Sequence, residues 1–127
     1  MAGQYKLKNL ADTISASAFA INQRIKDEID DLSFEEVEAL STQSRDMLIA
    51  GKTLYALTAI EIAESGKASL EQLEGATDEI QKAIRTIKTV QTVIDIASKL
   101  VVLAGSIIAG NYTLIPENIA DIIDLIA

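Results

Sequence analysis

The chain has 127 residues, enough for one hydrophobic core, and 49% of them are apolar while only 4% are aromatic. A core of Leu, Ile, Val and Ala, interrupted by one proline and six glycines, favours long helices over an aromatic-rich sheet. The net charge of −8 provides no basic footprint for nucleic acid and opposes an anionic membrane surface, and the lack of His and Cys removes the usual general base, the strongest nucleophile and any disulfide.

Apolar residues at the N-terminus are interrupted by Asp12, Thr13, Ser15 and Ser17, so no signal peptide is expected and a cytoplasmic location is the default. From about Gln4 to Asp31, Leu7, Leu10, Ile14, Ala18, Ile21, Ile25 and Ile29 step by threes and fours. That spacing predicts a first helix with a seam close to a coiled-coil repeat. In "DDLSFEEVEAL", Ser33 and Glu36 form a capping-box pattern, which predicts a corner and a second helix opening at Phe34. The second helix is expected to reach about Ser65, with Gly66 as its C′ residue. Its seam, from Val37 and Leu40 to Ile60 and Ile62, is the least regular of the three.

After the loop "SGKAS", Ser69 and Gln72 repeat the capping-box pattern. Leu70, Leu73, Ala76, Ile80, Ile84, Ile87, Val90, Ile94, Ala97, Val101, Ala104 and Ile108 then form one seam. It implies a single third helix over Leu70–Ala109, about 60 Å long at 1.5 Å per residue. A second row, Val93, Ile96, Leu100, Leu103 and Ile107, widens the apolar stripe and calls for a further neighbour. Gly110-Asn111 ends this helix, and Pro116 and Glu117 open a short fourth one over 116–126. Its Ile119, Ile122, Ile123 and Ile126 can fold back over the second row. The expected fold is therefore all-α: an elongated, antiparallel, coiled-coil-like bundle of three long helices with a short C-terminal helix, forming one domain over 1–127.

Few side chains suggest chemistry. Asp27, Glu28, Asp30, Asp31, Glu35, Glu36 and Glu38 crowd the corner, but no calcium-loop spacing or sharp-turn glycine accompanies them, so a solvated acidic face is expected. The Glu-x-x-Glu pairs at Glu35/Glu38, Glu61/Glu64 and Glu71/Glu74 lack the histidines of carboxylate-bridged di-metal bundles. Lys82, Arg85 and Lys88 make a basic stripe suited to helix-supporting ion pairs or to docking on the acidic second helix. No phosphate-binding glycine loop and no nucleophile-elbow motif occurs. No catalytic, metal or cofactor site is expected.

The uncharged run from Leu100 to Pro116 is the remaining signal. Its continuous helical part, Leu100–Ala109, is about half the ~20 residues a membrane span needs. Leu100, Leu103, Ile107, Ile108, Ile119, Ile122 and Ile123 are instead expected to form an apolar interaction surface. The expected function is that of a non-enzymatic structural or interaction protein acting through helix–helix contacts, as a homo-oligomer or with a helical partner. The alternative is a membrane-active or lipid-surface component using residues 100–127. Its general look is similar to long-helix pore-forming toxins or granule-coating helical proteins, without a shared motif.

Overall fold

The structure, a computed structural model, describes residues 2–127; Met1, the first residue of the expected 1–127 domain, lies outside the described residues. It is 80% helical, so the all-α expectation holds, with six α-helices and one two-stranded ribbon among the described residues. In chain order these are β1 (Ala2–Lys6), α1 (Lys8–Asp27), α2 (Phe34–Leu57), β2 (Ala59–Ala63), α3 (Glu64–Gly75), α4 (Thr77–Thr86), α5 (Val90–Ile108) and α6 (Ile115–Ile126). A 3₁₀ turn at Tyr112–Leu114 leads into α6.

The corner forms as its residues dictate. The Glu36 amide donates to Ser33 Oγ at 3.1 Å, and the Ser33 amide donates to the Glu36 carboxylate at 2.8 Å. This reciprocal pair satisfies two amides and starts α2 at Phe34. α1 and α2 pack as a hairpin, and a 2.8 Å bond from the Leu7 amide to the Thr58 carbonyl ties its open end.

Three expected helix boundaries are corrected. The first helix does not begin at Gln4: residues 2–6 pair antiparallel with 59–63, Tyr5 opposite Ile60 and Gln4 opposite Glu61. Here a period of two overrides the helical one, with Tyr5, Leu7 and Ile62 buried and Gln4, Lys6 and Glu61 exposed. The second helix accordingly stops at Leu57, not at Ser65. Gly66 lies inside α3 instead of capping α2; an added Cβ would come within 2.8 Å of Ile62 Cδ1, so the glycine lets β2 approach closely. Ser69 caps nothing, since its hydroxyl donates to the Ser65 carbonyl at 3.0 Å within α3.

The expected third helix over Leu70–Ala109 is divided among α3, α4 and α5, so its seam does not run as one rod. The breaks fall at Ala76 and at Ile87–Thr89, where Ile87 (ψ 128) and Thr89 (ψ 111) are extended. Thr86, Ile87, Thr89 and Val90 are all β-branched and lose side-chain freedom in a helix. Arg24, only 4% exposed, supports the second break: its Nη1 donates to the Ile84 carbonyl at 2.9 Å. That oxygen lies in the last turn of α4, where it has no helical amide to accept from.

The buried side chains make one cluster that includes Tyr5, Leu10, Ile14, Leu40, Leu54, Leu73, Ile84, Ile96, Leu103 and Ile122. α5 packs against α2 and α6, α6 also covers α3, and α4 lies on α1. The end of α5 matches the expectation from Gly110-Asn111. Gly110 takes φ +82, its amide donates to Ile107 at 3.1 Å, and the Asn111 amide donates to Ser106 at 2.8 Å. The pair satisfies two terminal carbonyls and turns the chain toward α6.

Candidate interaction surface

Of the seven residues expected to form an apolar surface, five lie inside the chain's own core. Leu100, Leu103 and Ile107 on α5 and Ile119 and Ile122 on α6 are each 1% exposed or less. The fold-back of α6 over α5 brings them together. Ile123 is half-buried against the same core, and Ile108 is 42% exposed.

A different row on α5 is only partly covered. Ile94, Ser98, Val101, Gly105 and Ile108 recur by threes and fours along its outer side, flanked by Val102 and Ala109. Val102 is 51% exposed, and Ile94 and Val101 are half-buried. Gly105 is exposed, and a Cβ added there would meet nothing within 4 Å. A helical glycine costs about 1 kcal/mol relative to alanine, and no contact within the described chain accounts for it here. This row carries no charge. By contrast Phe34, 75% exposed at the corner, sits in sequence among Asp31, Glu35 and Glu36.

A cavity of about 410 Å³ between α5 and α6 borders the row, lined by Asp95, Ser98, Lys99, Asp121, Asp124 and Leu125. Lys99 Nζ lies 3.5 Å from the Asp121 carboxylate, with both side chains 44% exposed, so solvent screens the pair. Asp95 and Asp124 therefore give the apolar row an acidic border. Sequence reading passed over this border because only the packing of α6 brings Asp121 and Asp124 beside Asp95.

The other charged constellations stay apart. The acidic corner is mostly exposed; Glu36 serves the capping box, and Glu28 lies 3.4 Å from Arg24 Nε. No group of three or more carboxylates among the described residues is arranged to hold a metal ion. Lys82, Arg85 and Lys88 are exposed, and α4 lies on α1, not on the acidic α2 as the stripe suggested. Two tyrosines missed as polar anchors donate to carboxylates: Tyr5 to Glu74 and Tyr55 to Asp12. Burial, then the Glu74 bond, pushes the Tyr5 phenol well above its usual range; the Asp12 bond raises that of Tyr55.

α5 is 19 residues long and contains an 18-residue stretch with a mean hydropathy of 1.6, enough by length and composition to cross a membrane, and 39% of that stretch is buried in the fold. It is longer than the ten-residue run read from Leu100 because the helix begins at Val90. No family model matches the chain, and neither a characterised protein nor a solved structure matches it.

Proposed function

We propose that this chain is a non-enzymatic interaction protein that self-associates through helix–helix contact along the outer row of α5. One observation carries the reading: in the uncharged stretch from Val101 to Ala109 the small and apolar residues Val102, Gly105, Ile108 and Ala109 are exposed, and Gly105 has open space above it. A glycine there lets a second helix approach closely, and Val102 and Ile108 supply apolar contact on either side. The lack of His and Cys supports the non-enzymatic part of the reading.

Sedimentation equilibrium tests it. The wild-type chain should be a dimer or larger at micromolar concentration. Val102→Glu with Ile108→Glu should yield a monomer with unchanged helical content, because both side chains already lie at the surface. A wild-type chain that stays monomeric at about 100 μM, an affinity weaker than about −5.5 kcal/mol, removes the reading.

The length and hydropathy of α5 favour a second reading, in which α5 enters a bilayer after the fold opens. Dye release from vesicles distinguishes the two. Leakage by the wild-type chain that Val102→Glu abolishes supports membrane activity, whereas self-association without leakage supports the first reading.

A further inference from the structure

The ribbon and the C-terminal end of α2 border a second, open cavity of about 430 Å³ whose lining is largely exposed. Lys6, Lys8, Tyr55, Thr58 and Ala59 line it. The connectivity explains why these five meet. Lys6 ends β1 and stands opposite Ala59 at the start of β2, Lys8 opens α1, and Tyr55 lies in the last turn of α2. A volume of this size falls in the range of small-molecule sites, which pair apolar walls with a few convergent polar groups.

Two ammonium groups and two hydroxyls line this cavity, and the Asp12 carboxylate accepts from one of those hydroxyls at its edge. In a chain of net charge −8, Lys6 and Lys8 each stand with no carboxylate within 4.0 Å among the described residues. The same holds for seven of the other nine basic residues, and only Arg24 and Lys99 face a carboxylate. The Tyr55 hydroxyl is engaged by Asp12, which anchors one edge of the ring and keeps the phenol neutral. Thr58 is held at φ 63 and ψ −60, the only positive φ at a non-glycine residue among those described. A β-branched residue is strained there, and glycine would make the same turn freely. Threonine instead keeps a hydroxyl on the rim, and that hydroxyl bonds to no other described residue.

We propose that this cavity binds a small organic anion, its carboxylate or phosphate held by Lys6, Lys8 and the Thr58 hydroxyl, its flat apolar body lying against Tyr55 and Ala59. Ammonium groups without a local counter-ion bind such a head group through charge-assisted hydrogen bonds. The acidic remainder of the chain repels any anion at long range, organic or inorganic. Contact between the apolar body and the ring therefore supplies a necessary part of the affinity.

Amide chemical-shift titration of the isotope-labelled full chain tests the proposal, with phenyl phosphate and benzoate as probes and phenol and inorganic phosphate as half-probes. Saturable shifts are expected at the amides of residues 5–9 and 55–60, with either aryl anion binding more tightly than both half-probes. The tighter of the two aryl anions identifies the head group. Lys6→Gln with Lys8→Gln should weaken binding about tenfold or more, the loss expected for charge-assisted bonds. Both lysines are exposed, so this variant should keep the fold, as circular dichroism will verify. Lys82→Gln with Lys88→Gln, in α4 and in the linker after it, makes the same change in net charge away from the cavity lining and should leave binding unchanged. Three results would each overturn the proposal: no saturation by either aryl anion below about 10 mM, equal binding of phenol and phenyl phosphate, or equal losses in the two double variants.

Discussion

Ile107 and Ile108 are adjacent residues of one type on one helix, 1% and 42% exposed. Truncating each to alanine isolates burial from every other variable. Ile107→Ala removes about three carbon groups from a filled core between α5 and α6, worth roughly 0.8 kcal/mol each on transfer. The unfilled cavity adds to this, for a total in the range of about 2–5 kcal/mol. Ile108→Ala removes the same groups from a site open to water, leaves no closed cavity, and recovers roughly 0.4 kcal/mol of helix propensity. Its net cost should be about 1 kcal/mol or less. Urea unfolding of both variants, followed by far-ultraviolet circular dichroism, measures the difference. In thermal scans Ile107→Ala should melt on the order of 10 °C lower than the wild type. Running each variant at two protein concentrations separates monomer stability from linked self-association, which should respond only to Ile108→Ala. Equal costs at the two positions, or a larger cost at Ile108, would refute the placement of α6 over the inner row.

Three further predictions address the polar contacts. Because burial and Glu74 raise the Tyr5 phenol, the folded chain holds that proton more tightly than the unfolded chain, in which tyrosine titrates near pH 10. Stability should therefore be full below about pH 10 and fall above it; Tyr5→Phe should flatten that alkaline loss while costing about 1 kcal/mol at neutral pH, both read from urea unfolding. Arg24→Met leaves the Ile84 carbonyl unpaired and should cost about 1.5–3 kcal/mol, with faster amide exchange at 87–89; a cost under about 0.5 kcal/mol would show that the guanidinium does not support the end of α4. Ser33→Ala should cost about 1 kcal/mol by breaking the capping box, while Ser69→Ala, inside α3, should be neutral or slightly stabilising; equal losses in urea titrations would contradict the assignment of both serines.

Local signals explain which elements were legible. Ser33 with Glu36 and Gly110 with Asn111 each determine a helix end by hydrogen bonding within a few residues, Pro116 with Glu117 suits a first helical turn, and each marks an end close to where the structure places it. The strands carried a weaker signal. "AIEIA" alternates, but Leu57 and Ile60 also satisfy helical spacing, and only the pairing with a strand more than fifty positions away decides the matter. The division between α4 and α5 had a visible cue in the β-branched cluster from Thr86 to Val93, which the unbroken three-four spacing concealed. Of the candidate surface, the sequence showed that one end of α5 is apolar on two sides. It could not show which side faces inward, because that depends on where α2 and α6 dock. Five of the seven named positions went to the core, whereas Ile108, an isoleucine like three of them, stayed largely outside.

The ribbon's place at the mouth of the α1–α2 hairpin has a consequence for how the molecule opens. For a free chain, bringing residues 2–6 to 59–63 means closing a very long loop, whose entropic cost grows with length. Once the two helices are zipped, the strands are delivered side by side and only the linkages at Leu7 and Thr58 remain to be ordered. The ribbon should thus form late and come apart first, yet its survival depends on side chains far from it. Loosening the hairpin near Leu40, at the opposite end of α2, should abolish amide protection in Tyr5 and Ile62 together, whereas cutting the ribbon should leave protection around Leu40 intact. Native-state hydrogen exchange would register this one-way dependence as two nested opening units, the smaller contained within the larger.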